Sequence, residues 1–264
     1  MFHLFKSGRR NEIKERPFPL EWLGFLAENM PYYARLSADD QAELLGHVQI
    51  FLDEKAFEGC GGLTMTDEIR VTIAAQACLL LLHRNTDYYP DLESILVYPS
   101  TYVVHQKRRA PGGVEIEGDE ARLGESWTRG AVVLAWDSVL RGAADVSDGH
   151  NVVLHEFAHQ LDQETGEANG TPELPPRSSY SAWIKVLGAD YNALVAQVHE
   201  LHKTDIDPYG TTSPAEFFAV VTETFFEKPK QLQRRHPALY EQLQLFYQQD
   251  PATRFDEHAA APAD

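Results

Sequence analysis

The chain has 264 residues, 43% of them hydrophobic and 11% aromatic, enough to bury a sizeable core in one large domain or two small ones. Forty acidic residues against twenty-three basic ones leave a formal charge of −17, which argues against a nucleic-acid backbone or an anionic membrane as the main partner. Two cysteines, Cys60 and Cys78, are too few for a disulfide framework.

Residues 1–16 form a polar leader with basic residues but no apolar run after them. They read as a flexible segment and not as a signal peptide. Residues 20–34 and 38–52 follow as helices, the second announced by Ser37 with Asp39 and Asp40 in its first turn. After Gly59, Gly61 and Gly62 comes a helix over 66–84, apolar on nearly every side and therefore central to a core. Its apolar stretch, 71–82, is too short to cross a bilayer, so the expectation is a soluble cytoplasmic protein.

The pattern then changes. Residues 94–104 and 131–136 are β-branched and aromatic, as strands are. The charged, glycine-rich stretch 111–124 between them reads as a hairpin region or exposed loop. From 148 onward helical patterning returns, over 150–163, 179–202, 213–227 and 237–249. Residues 251–264 have the composition of a loose tail. The expected fold class is α+β: helices, a small sheet, then helices, in one domain over 17–250.

Within 150–163 stands His155-Glu156-Phe157-Ala158-His159. On a helix the two histidines lie one turn apart on one face, so both imidazoles can reach a single Zn2+ ion, with Glu156 beside them as a general base. A catalytic zinc site needs a third protein ligand. Asp162 is better placed to accept a hydrogen bond from a ligand histidine than to reach the ion itself. Downstream, SPAEFFAVVTE offers Glu216 and Glu223, seven apart on one helical face among apolar residues, where a carboxylate needs a compensating cation. Ser213, Pro214 and Glu216 also form a capping-box pattern, which competes for Glu216. Spacing alone leaves the choice between the two glutamates open.

VVLHEFAHQL, DPYGTTSPAEFFAVVTETFF, FYQQDP, GESW and VVLAWDSV together resemble the Mlc titration factor A family of bacterial zinc peptidases, over most of 17–251. The resemblance implies a mainly helical zincin-like (gluzincin) fold with its small sheet beside the motif helix. It also implies Glu216 as the third metal ligand and aminopeptidase activity on short peptides. Glu223 then becomes an outer or structural acid. Tyr209, in the loop before Glu216, becomes a candidate oxyanion donor. The family's name further implies a second role, binding an Mlc-like glucose repressor. That role also stands as an alternative in its own right: a non-catalytic protein that sequesters a transcriptional repressor.

The partners expected are therefore a peptide or protein substrate and an Mlc-like repressor, with no direct nucleic-acid or membrane partner. By analogy with other zincins, the strand at 131–136 is the expected edge for an extended peptide. His199 and His202, three apart near a helix end, read as solvated. His83, His105, His236 and His258 have no partner pattern, and His150 reads as lying near a helix cap.

Overall fold

The computed structural model describes residues 2–255 except 86, 101, 110–114, 123, 128–129 and 177, with side chains outside 1–5 and 101–129. Helix α1 (Phe2–Lys14) leads to α2 (Leu20–Asn29), a 3-10 turn (Pro31–Arg35) and α3 (Ala38–Glu54). Strand β1 (Ala56–Gly59) and helix α4 (Asp67–Leu79) precede β2 (Leu92–Tyr98), β3 (Tyr102–Arg109), β4 (Glu115–Arg122), β5 (Gly124–Trp127) and β6 (Gly130–Ala135). Eight further helical segments follow, beginning with α5 (Trp136–Ala144), α6 (Val152–Gln163) and α7 (Tyr180–His199). A 3-10 turn (Pro208–Thr211) then leads to α8 (Pro214–Glu227), α9 (Pro229–Arg235), α10 (Pro237–Tyr247) and α11 (Pro251–Arg254). The molecule is α+β and mostly helical. No helix among the described residues is long and apolar enough to cross a membrane.

Local chemistry starts the helices where the sequence suggests. Ser37 Oγ accepts from Asp40 N at the start of α3, and Thr66 Oγ1 accepts from Ile69 N at the start of α4. Every residue of α4 from 71 to 79 is buried, and the helix packs against α2, α3, α5 and α6. Every residue of α8 from 217 to 227 is buried too. Its Phe218 and Phe225 pack edge-on or stacked against Trp183, Phe246 and Tyr247, with centroids 5.6–5.8 Å apart.

One sheet has the order β1-β2-β6-β5, with β1, β2 and β6 parallel and β5 antiparallel to β6. A separate antiparallel ladder joins β3 and β4. Burial rises from β1, which has no buried residue, through β2, which is partly buried, to β6, buried from Val132 to Ala135. Strand β6 is therefore interior, paired on both sides, and cannot be the substrate edge expected at 131–136. Strand β5 lies antiparallel along β6, so among the described residues the sheet edge beside α6 is β5.

The chain ends differ from their expected form. The polar leader is helix α1, fastened by buried Ile13 and by the Arg10 guanidinium forked onto Glu54 at 2.7 and 2.8 Å. The start of the expected tail is α11, where buried Arg254 donates to Gln249 Oε1 at 2.9 Å and to Asp40 Oδ2 at 3.0 Å. The rest of that tail, 256–264, lies outside the described residues. Helices α5 and α9 are additional to the expected scheme. The expected strand 94–104 divides after Tyr98 at Pro99, which has no N–H for a ladder.

Candidate metal centre

The motif helix α6 is set by its cap. Buried Asn151 accepts from Val153 N at 3.1 Å and Leu154 N at 3.0 Å. Its side-chain amide donates to Gln76 Oε1 at 3.0 Å and to Gly142 O at 3.2 Å, tying α6 to α4 and α5. A Cβ on Gly142 would lie 3.0 Å from Asn151 Cα and 3.1 Å from His150 O, so any larger residue would push the cap away from α5. The Asn151 backbone N–H donates to Glu223 Oε2, which brings in α8.

From that cap, α6 buries Val153, Leu154, Phe157, Ala158 and Leu161. His155 and His159 stand together on another face, with ring centroids 4.9 Å apart. Helix α8 begins at Ser213, whose hydroxyl accepts from Glu216 N at 3.1 Å. The Glu216 carboxylate is turned to the histidines: Oε2 lies 3.0 Å from His155 Nε2 and 3.3 Å from His159 Nε2. One helical stretch later, Glu223 Oε1 lies 2.7 Å from His155 Nδ1. The two glutamates thus divide the positions between them, Glu216 at the converging nitrogens and Glu223 behind the ring.

Electrostatics follow from this packing. Burial lowers the His155 pKa, but Glu216 and Glu223 on its two nitrogens raise it well above the ordinary histidine range. Burial raises that of Glu216, and the two imidazoles overcome this, drawing it down to about 2. Glu156 is buried beside them, and desolvation pushes its carboxyl up to about 7 against the pull of both histidines. Two imidazole nitrogens and one carboxylate oxygen lie within 4.8 Å of one another, a donor set that fits a divalent ion of the zinc type. With Nδ1 of His155 facing a carboxylate, its Nε2 is the nitrogen free for such an ion.

The other expected residues separate. Asp162 is fully buried, but its Oδ2 accepts from Gly170 N at 2.7 Å and so holds the turn after α6. The expected hydrogen bond from a ligand histidine is made by Glu223, because α6 carries Asp162 beyond the rings. Tyr209 is half-exposed, its ring centroid 6.0 Å from that of His155. Asp207 fixes its turn by accepting from Tyr209 N at 2.7 Å. His202 pairs with Glu200 on the surface, and His236 lies 2.6 Å from Asp190. The side chains of His105 and His258 lie outside the described residues. Asn151 and Gln76 escaped the sequence reading, although an asparagine just before an apolar helical run is a cap signal.

Glu227 completes the buried set one turn beyond Glu223. Among the described residues, no donor meets either carboxyl oxygen with hydrogen-bond geometry. Burial pushes it up to about 9; Asn151 is the largest influence against this, the charges of Glu223 and Asp148 add to the rise, and the His150 N–H opposes it. The folded chain therefore prefers Glu227 protonated. Its contribution is complete below the ordinary glutamate pKa and is lost as pH rises towards about 9. Glu227→Gln is expected to stabilise the protein by about 2 kcal/mol near neutrality. The gain should shrink towards zero in acid, as read by urea unfolding across pH.

Paired histidines on one helix, a buried glutamate between them and a second carboxylate from another helix are the residue set of a metallopeptidase-type site. The family model described as glucose-regulated metallo-peptidase M90 matches residues 5–248, and the chain belongs to that family. It is 44% identical over 244 residues to an uncharacterised protein of Synechocystis, covering 92% of this chain and 89% of that one. Two proteins named Mlc titration factor A are each 33% identical to it. The one from Klebsiella pneumoniae is matched over 99% of this chain and 98% of its own length. The one from Enterobacter is matched over 91% and 90%.

Proposed function

We propose that the protein is a zinc-dependent peptidase of the zincin type, gluzincin-like in its ligand set, acting as an aminopeptidase on short peptides in the cytoplasm. His155, His159 and Glu216 are its metal ligands. The observation that carries this reading is the convergence of those three donors beside a buried Glu156. A divalent ion held there supplies Lewis acidity, acidifying water and polarising a carbonyl oxygen.

The chain's own groups do the rest. Glu156, buried beside the two histidines, takes a proton from the attacking water and delivers it to the leaving amine. Glu223 holds His155 with Nδ1–H outward and Nε2 inward. Tyr209 donates its hydroxyl to the oxygen that gains charge. The edge strand β5 offers backbone N–H and C=O groups along which an extended peptide can lie.

Metal analysis and peptide hydrolysis test the proposal together. The purified protein should carry about one zinc per chain, lose hydrolysis on chelation and regain it with zinc. A protein that cleaves short peptides equally well after chelation would rule the reading out. Tyr209→Phe should lower kcat by about 10²-fold with little change in KM. An unchanged kcat would remove Tyr209 from the chemistry.

The names of the Mlc titration factor relatives favour a second role, binding of an Mlc-like repressor. The acidic surface suits a partner's basic face. A pull-down with Glu156→Gln distinguishes the two roles. Repressor retained by the inactive variant would show that binding does not need the chemistry, and absence of binding by either form would discard this role.

A further inference from the structure

A second cavity, of about 480 Å³ and lined by none of the candidate site residues, opens between α1, α3 and the loop that joins α4 to β2. Its charge runs against that of the molecule. Lys6, Arg10, Lys14 and Arg84 line it with Asp87 as the one lining acid, in a chain of formal charge −17. Lys6 and Arg10 share Asp87 at 2.8 and 2.7 Å, and Arg10 is also held by Glu54. Those two cations are accounted for as the fastening of α1.

Lys14 and Arg84 are not. Neither makes an ion pair among the described residues. Arg84 lies over the Phe246 ring, 4.3 Å from its centroid, and its Nη1 is buried without an acceptor. Glu164, at the end of α6, senses its charge without pairing with it. The stem of Lys14 packs over Gly46, where a Cβ would meet its Cγ at 3.2 Å, and the exposed residue lines the cavity.

The loop that presents Arg84 is strained. Three of the five non-glycine residues with positive φ among the described residues fall in it: His83 at 63°, Tyr88 at 58° and Tyr89 at 55°. The surrounding structure enforces this conformation. Tyr89 OH donates to Ala77 O at 2.7 Å, Tyr88 OH lies 2.6 Å from His47 Nδ1, and Lys55 Nζ donates to Tyr89 O at 2.6 Å. Strain held in place this firmly is characteristic of ligand clamps.

Ligand size and type follow from the walls. The Tyr88 ring already carries Arg10 at 4.5 Å on its face and His47 against it, and Phe246 carries Arg84. Among the described lining residues Tyr88 has the only six-membered ring, and Arg10 already lies on it. A point charge and a guanidinium fork suit the oxygens of a phosphoryl group. We propose that this cavity binds a compact phosphoryl anion between Lys14 and Arg84.

Calorimetry and thermal unfolding of the full chain at constant ionic strength test this, with inorganic phosphate, glucose 6-phosphate and citrate as probes. Saturable binding of either phosphorylated probe is expected, with a rise in Tm of a few degrees at saturation. Lys14→Met and Arg84→Met should each weaken that binding about tenfold or more. Lys14 is exposed, so its variant decides the matter even where Arg84→Met fails to fold. The proposal is overturned if neither phosphorylated probe binds up to about 10 mM. It is equally overturned if Lys14→Met binds them unchanged, or if citrate binds as tightly as they do.

Discussion

Glu156→Gln is expected to lower kcat for peptide hydrolysis by about 10²–10⁴-fold while the metal stays bound. The amide keeps the size and much of the polarity of the carboxylate but cannot accept a proton from water. Glu156 projects from the same helix as both histidines yet is not among the three converging donors. Its loss should therefore spare the ion. In the metal-free site burial raises its carboxyl to about 7, and a divalent ion beside it would favour the carboxylate, the form a base needs. Metal content measured beside kcat gives the decisive comparison. A variant that loses its zinc would make Glu156 a ligand, and one that cleaves normally would remove it from the reaction.

Glu216→Ala should empty the site, and Glu223→Gln should only weaken it. Among the described residues Glu216 Oε2 is the one carboxylate oxygen within 3.3 Å of both histidines, whereas the Glu223 carboxylate meets Nδ1 of His155 and the Asn151 N–H. Removal of an outer carboxylate costs about 10–100-fold in metal affinity, and removal of a direct ligand costs more. Competition with a zinc chelator ranks the two variants. If the Glu223 variant proved the weaker binder, the assignment of ligand and orienting group would have to be exchanged.

How much could be read from the chain in advance depends on the range over which each feature is fixed. His155, Glu156 and His159 are related by one helical turn, so their spacing alone places both imidazoles on one face. The Ser213 cap and Pro214 are equally local. Glu216 and Glu223 could not be told apart by spacing, because the answer lies in how α8 crosses α6. Asp162 shows the same limit. Its helical phase is right, but the axial rise of α6 carries it to Gly170.

Strand order was the least legible feature. The pairing of β6 with both β2 and β5 depends on crossovers that leave no mark within 131–136 itself. Residues 1–16 read as loose because they are polar, yet buried Ile13, the Arg10–Glu54 fork and the Lys6 and Arg10 pairs with Asp87 dock them. Composition averages over such anchors.

Helix α8 holds the same imidazole from two sides, with Glu216 at Nε2 and Glu223 at Nδ1, seven residues apart on one buried rod. Any slide or roll of that rod moves both carboxylates together. The site therefore has no intermediate grip: it is either fully assembled or loses ligand and orienting group in one movement. A substitution that loosens the aromatic packing around Phe218 and Phe225, well away from the ion, would be felt first as faster zinc release and only later as unfolding.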